Sequence, residues 1–234
     1  MTAKSEIATF RPVLLALACF SASVHLVGLG LDNPALLWAT RLTTMPLLVA
    51  ALIGFQATTR WYCTLIAAGL AVSLAGDLFM ADEKRWFLFG LASFLVAHLF
   101  YIAAFSLARP TRTRDALTAV PFALFAVAVF ALLAGHLGEF FIPAMLYTII
   151  ISAMGWRAAA RYLARNKDLS GLLALIGAIA FIASDSMIAW NNFREPFLWK
   201  QPAVMITYFG AQVLFALSVL LDRRQWTRPE SKPE

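Results

Sequence analysis

The chain has 234 residues, 61% of them apolar and 14% charged, with a formal net charge of +6 and a mean hydropathy of +0.75. That composition excludes a water-soluble fold, because a core of this size could not hide so much apolar surface, so the bilayer has to act as part of the solvent. Ten prolines and 12 glycines are thinly spread and no polar tract exceeds a short loop, so one transmembrane domain is expected over residues 1–234.

Apolar runs long enough to cross about 30 Å of hydrocarbon predict an all-α integral membrane bundle of about eight helices. They fall at 12–30, 38–55, 61–80, 86–107, 116–134, 140–156, 171–190 and 203–221. The first follows Lys4 and Arg11 as a signal peptide would, but it has no small-residue cleavage motif and is expected to remain as helix one. Cys19 and Cys63 sit inside apolar runs and are expected to fill space rather than form a disulfide. Trp38, Trp61, Trp86, Trp156, Trp190, Trp199 and Trp226 all fall near proposed helix ends, where an amphipathic ring prefers the headgroup layer.

Of the 19 Lys and Arg residues, 14 fall on the side of the termini. Five, namely Arg41, Lys84, Arg85, Arg194 and Lys200, fall on the other. Basic short loops stay in the cytoplasm, so both termini are expected there. The same asymmetry accounts for most of the pI of 9.7 without invoking nucleic acid.

Polar residues inside the spans carry the functional signal. The second helix opens on Arg41, followed by Thr43, Thr44 and Pro46, and its guanidinium can pair with a lipid phosphate or snorkel to the interface. A carboxylate within a span costs about 2.5–3.5 kcal/mol on insertion scales, so Asp77 in helix three and Asp185 in helix seven need a reason to exist. Each lies about 22–24 Å of rise from the expected cytoplasmic start of its helix, so both are expected at similar depth. Gly69, Ser73 and Gly76 share a face with Asp77, and Gly177, Phe181, Ser184 and Ile188 share one with Asp185. Small neighbours of this kind let helices approach closely and leave room for a cavity. The plainer reading is that both acids snorkel to water or cap helix ends.

Helix four carries Gly90, Phe94, His98, Tyr101 and Phe105 on one stripe, with Ala97 beside it. His98 lies roughly 18 Å from the outer boundary, so a direct bond to Asp77 would need a re-entrant start to helix four or a deeper helix three. Tyr147 on helix six, and Tyr208 with Gln212 one turn later on helix eight, offer further hydrogen-bonding groups for a cavity or for helix–helix adhesion. His25, His98 and His136 lie on different spans with no HxxxH or HExxH spacing, so no metal site is expected. The absence of a GxSxG elbow, P-loop or dinucleotide fingerprint leaves no cofactor to assign. Gly76-Asp77 and Ser184-Asp185, each followed by a short polar loop and an aromatic-rich helix, suit a four-plus-four parallel repeat.

Taken together, Gly76-Asp77, Phe89-Gly90-Leu91, Phe94, Ala97-His98, Tyr101, Phe181-Ile182-Ala183-Ser184-Asp185, Ile188-Ala189, Phe193, Thr207-Tyr208 and Ala211-Gln212 resemble the YhhN-like family of lysoplasmalogenases. The likeness covers most of the chain and matches its eight-helix count. One departure is Met45-Pro46-Leu47 on helix two, where the family tends to have Lys-Pro-Leu; Arg41, one turn away, is the candidate substitute.

The resemblance implies hydrolysis of the vinyl ether of a lysoplasmalogen to a fatty aldehyde and a glycerophospho-ethanolamine or -choline. Its partners would be a lysophospholipid substrate and membrane lipids; independently of the resemblance, the short loops and the lack of an extra domain favour the inner membrane of a bacterium.

 
It would also assign Asp77 and Asp185 as an acid–base pair, with Arg41, His98, Tyr101, Tyr147, Ser184, Tyr208 and Gln212 supporting or binding substrate. Protonating the β-carbon of a vinyl ether gives an oxocarbenium ion that water captures, so such a site needs one protonated acid beside a base or anion, and two neighbouring carboxyls can divide those roles. Intramembrane acids equally suit a small proton-coupled transporter or channel, and a non-catalytic lipid-binding protein would use them structurally. Nothing in the sequence fixes an oligomeric state.

Overall fold

A computed structural model describes residues 3–55, 60–108 and 112–222, with side chains at 10–55, 60–108 and 115–222. Trp226, Arg109 and the basic residues of the tail, Arg223, Arg224, Arg228 and Lys232, lie outside the described residues. The helices are α1 (Ala3–Gly30), α2 (Pro34–Leu52), α3 (Arg60–Met80), α4 (Glu83–Phe105), α5 (Arg112–Leu133), α6 (Phe141–Ala164), α7 (Leu169–Phe193) and α8 (Lys200–Leu220). Two short 3-10 turns, Ala134–His136 and Gly138–Phe140, join α5 to α6. All eight helices are long and apolar enough to cross a bilayer, as the hydropathy pattern predicts. Large apolar side chains such as Phe20, Leu124, Val127 and Ile206 point outward, which suits lipid as the surrounding solvent.

Several boundaries move for identifiable reasons. The α2 helix starts at Pro34 rather than near 38, because Asn33 caps it by accepting the Leu36 N–H and proline suits a first helical turn. It stops at Leu52 rather than 55, where Gly54 takes a φ of +68°. The α6 helix continues to Ala164, well past the expected end at 156. Arg157 and Arg161, read from the sequence as loop charges, are helical and turn inward.

Lipid tails are as apolar as leucine, so close packing and polar bonds between helices hold such a bundle together. Between α1 and α2, Ser21 Oγ lies 2.8 Å from Thr43 Oγ1 and 2.9 Å from Thr44 Oγ1, and His25 Nδ1 lies 2.7 Å from Thr40 Oγ1. In the α3–α4 pair, Gly69 packs against the Tyr101 ring and Gly76 against Phe94. These glycines do not leave the open space their size suggests; aromatic rings from α4 fill it. Phe181 of α7 meets Phe94 at 6.0 Å and Tyr208 at 5.4 Å between ring centroids, both edge-on, which makes an aromatic seam shared by α4, α7 and α8. The α8 helix is the most enclosed span, with 61% of its window buried, whereas α5 has 6% and lies at the periphery.

Asp168 caps α7 by accepting the Gly171 N–H at 2.8 Å and is bridged by Arg165 Nη2 at 2.6 Å. Burial alone would raise its carboxyl, but the Arg165 and Gly171 hydrogen bonds outweigh that and hold it below the ordinary 3.8. A lowered folded-state value stabilises the fold above the unfolded value, and that contribution is lost as pH falls through the folded one. Asp168→Ala is therefore expected to cost about 1 kcal/mol at neutral pH. Unfolding in detergent checks this, and the gap between variant and parent should narrow in acid.

Candidate active site

The α3–α4 connection is only Ala81 and Asp82, so α4 folds straight back along α3. Trp86 leaves helical geometry (φ −120°, ψ 17°), which kinks the first turn of α4 away from the rest. At this end of the bundle α7 and α8 also meet, through residues 194–199. The two hairpins thus bring Asp77, Asp185 and the first residues of α4 and α8 to the same region.

Arg41, Asp77, Glu83, Ser184, Asp185, Lys200 and Tyr208 line one cavity, floored by Phe94 and aliphatic side chains. Both aspartates, on separate helices, thus face a common space. Asp77 is 2% exposed and the Asp185 side chain 10%, so neither reaches out to the surface of the bundle as snorkelling to water would require. Tyr208 O–H donates to Asp77 Oδ2 at 2.8 Å, and Tyr147 O–H donates to Asp185 Oδ2. Each carboxyl is therefore held by one tyrosine from a neighbouring helix and keeps oxygen lone pairs for a further partner.

Arg41 does not reach outward for the interface. Its guanidinium turns into the bundle and donates to the Asp77 carbonyl at 2.7 Å. This charged bond fixes α2 to the end of α3 and leaves a cation beside the Asp77 carboxyl. Met45, in the place of the family's lysine, is fully buried.

His98 lies near Asp185 and not Asp77, with Nε2 3.8 Å from Asp185 Oδ2. That separation is too long for a hydrogen bond, and neither ring nitrogen has a partner among the described residues. The ring is wedged against Phe181, 4.6 Å between centroids, and Tyr147, 5.4 Å. Ser184 Oγ donates to the Val204 carbonyl at 3.3 Å, tying α7 to α8 beside the cavity. Tyr101 and Gln212 are not brought to the cavity: Tyr101 O–H donates to Gln212 Oε1 at 2.7 Å, deeper in the α3–α4–α8 packing.

A second, larger cavity lies between α4, α5, α6 and α7. Its walls are almost wholly apolar, including Phe87, Phe125, Val129, Phe140 and Ala144. Met80, Phe94, Asp185 and Ile188 line both spaces, so the polar cavity and the apolar slot adjoin at Asp185. Chemically, this arrangement offers three carboxyls, two phenols, a guanidinium and an ammonium at the head of a largely apolar slot.

Glu83 and Lys200 are site residues that the sequence did not single out. Glu83 sits in the charged run Asp82-Glu83-Lys84-Arg85, where nothing distinguishes the inward-facing member. Lys200 counts there only as one more interfacial cation.

The sequence profile of the YhhN family matches residues 36–219, from the first turn of α2 to the last of α8. A human protein named Lysoplasmalogenase TMEM86A is 37% identical over 164 residues, covering 68% of this chain and 67% of that protein. Its Bos taurus namesake is 34% identical over 180 residues, covering 75% of this chain and 73% of its own. A Mycobacterium tuberculosis (strain CDC 1551 / Oshkosh) protein named Lysoplasmalogenase is 32% identical over 209 residues, 81% of this chain and 75% of that one. No solved structure matches the chain. The extent of the profile match, spanning seven of the eight helices and every residue that lines the two cavities, establishes that this chain belongs to the YhhN family.

Proposed function

We propose that the protein is a membrane hydrolase that cleaves the vinyl ether of a lysoplasmalogen, with Asp77 and Asp185 as its acid–base pair. The observation that carries this reading is that two carboxyls from different helices, Asp77 buried and Asp185 mostly so, line one cavity, which adjoins an apolar slot at Asp185. Relatives named lysoplasmalogenases supply the reaction class.

In this reading the hydrocarbon chain lies in the slot and the glycerol head in the polar cavity, so the bond joining them falls beside Asp185. One carboxyl delivers its proton to the vinyl carbon remote from oxygen, and the resulting oxocarbenium ion is stabilised by the other carboxylate. Water adds to the carbon that bears the ether oxygen. That water gives its proton to a carboxylate and so restores the pair, and the hemiacetal then collapses to a fatty aldehyde and a glycerol hydroxyl as its hydroxyl proton passes to the departing glycerol oxygen. Tyr147 and Tyr208 hold the carboxyls in position, His98 backs Asp185, and Arg41 replaces the family's lysine as the cation on the Asp77 side. The charge asymmetry of the loops supports both termini in the cytoplasm, and the short loops suit a bacterial inner membrane.

Purified protein in detergent, with no gradient present, is expected to release aldehyde from a vinyl-ether lysolipid and none from its saturated-ether counterpart. Solute flux in liposomes without product would replace this reading by a transporter. The slot makes a further testable demand. Ala144→Trp, which fills it from α6, is expected to lower kcat/KM for long-chain substrates by about tenfold while sparing short-chain ones. A substrate series of increasing chain length measures this directly.

A further inference from the structure

We infer that Glu83, Asn192 and Lys200 form a headgroup clamp that selects a zwitterion carrying a primary ammonium, so that ethanolamine lysolipids bind ahead of choline ones. The inference rests on the lysolipid reading above and assigns the polar end of the same site.

Glu83 opens α4, Lys200 opens α8, and both line the cavity that holds the aspartates. Lys200 Nζ bridges both Glu83 oxygens, at 2.9 Å to Oε1 and 2.7 Å to Oε2. Asn192 Nδ2 donates to Glu83 Oε1 at 2.6 Å, and its own Oδ1 accepts from Lys200 at 3.3 Å. Two helix starts and the last turn of α7 are thus tied into one fixed pair of opposite charges beside the cavity. Glu83 Oε2 has Lys200 as its one described partner, which leaves a lone pair for a second donor.

Charge balance points to the ligand. The cavity is lined by two cations, Arg41 and Lys200, and three carboxyls, Asp77, Glu83 and Asp185. With one aspartate protonated for catalysis, the charges match in number, and a neutral zwitterion enters without leaving one of them unpaired. Phosphate between Arg41 and Lys200 places the ammonium by Glu83.

The acceptors there decide between headgroups. A primary ammonium has N–H groups to donate to the Glu83 carboxylate, whereas a trimethylammonium has none and favours aromatic faces; Asn192 Oδ1 already accepts from Asn191 and Lys200, so its part is to hold Glu83 in place. Phe94 and Tyr208 are the aromatic residues among those lining this cavity, and Tyr208 is engaged by Asp77 at a different point on its wall.

Binding of non-cleavable saturated-ether lysolipids, followed by tryptophan fluorescence of the full chain in nanodiscs, tests the clamp without any turnover. Phosphoethanolamine, phosphocholine and phosphate heads are compared with the bare alkylglycerol. The ethanolamine lipid is expected to bind about tenfold more tightly than the choline lipid. Glu83→Gln should erase that preference chiefly by weakening the ethanolamine lipid, and Lys200→Gln should weaken every phosphorylated head relative to alkylglycerol. The double exchange Glu83→Lys with Lys200→Glu restores the bridge, so a folded protein with altered head preference remains measurable if a single variant is unstable. Equal affinities across heads in the parent protein, or variants that weaken all four ligands alike, would overturn the clamp. Because none of these ligands is hydrolysed, failure of vinyl-ether cleavage shows separately, as a lack of aldehyde from the cleavable substrate.

Discussion

Asp77→Asn and Asp185→Asn are each expected to lower aldehyde release by a factor of about 100 or more, in keeping with the loss of an acid–base group. Asparagine keeps the volume of aspartate, and its amide oxygen can still accept the Tyr208 or Tyr147 hydroxyl, so the cavity should persist. What it lacks is a transferable proton and a negative charge. The two variants should therefore unfold near the parental temperature and still bind a saturated-ether lysolipid. Each should fail by itself, because one carboxyl cannot serve as donor and anion at once. Rapid single-turnover assays on both variants, run beside thermal unfolding, separate lost chemistry from lost structure. Near-parental turnover in either variant would remove the pair from the mechanism.

Arg161→Met is expected to produce the opposite pattern, a loss of about 3 kcal/mol of stability with kcat of the folded protein preserved. Arg161 is 2% exposed and lies at the end of the bundle remote from the aspartates. Its guanidinium stacks 4.0 Å from the Tyr62 ring centroid and Nη2 donates to Ser170 Oγ at 3.1 Å. Asp222, itself buried, lies 3.7 Å from the same Nη2 and 2.6 Å from Arg165. Tyr62 in turn meets Ser218 at 2.7 Å, so α3, α6, α7 and α8 converge on this one cation. Methionine retains much of the aliphatic stem but leaves Asp222 with less compensating charge in a buried place. Denaturation in detergent gives the stability change, and turnover per folded molecule tests the rest. A large fall in kcat at unchanged stability would assign Arg161 to the chemistry.

The same residue shows what the sequence makes legible. Eight spans follow from length and hydropathy, properties that belong to each segment alone. The end of α6 does not, because Arg157 and Arg161 look like loop cations until Asp115 and Tyr62, far away in the chain, are packed against them. Asp77 and Asp185 stand out because a carboxyl is costly in lipid, and the helical period correctly places Ser73, Gly76, Phe181 and Ser184 on buried faces. Partnership is another matter. Tyr208 with Asp77, Tyr147 with Asp185, and Tyr101 with Gln212 are all fixed by helix rotation and depth, which residue spacing does not encode. For this reason Tyr101 and Gln212 read as cavity groups although they bond to each other away from the cavity that holds the aspartates, and Glu83 goes unseen within a run of four charges.

Hydrolysis of a vinyl-ether lysolipid in deuterium oxide tests acid-driven cleavage most directly. Proton delivery to carbon places one solvent deuterium on the carbon next to the aldehyde, and the glycerol retains its own oxygen. Mass spectrometry of the promptly trapped aldehyde should show that single added deuterium. An aldehyde free of solvent deuterium would contradict carbon protonation, and with it the role given to Asp77 and Asp185.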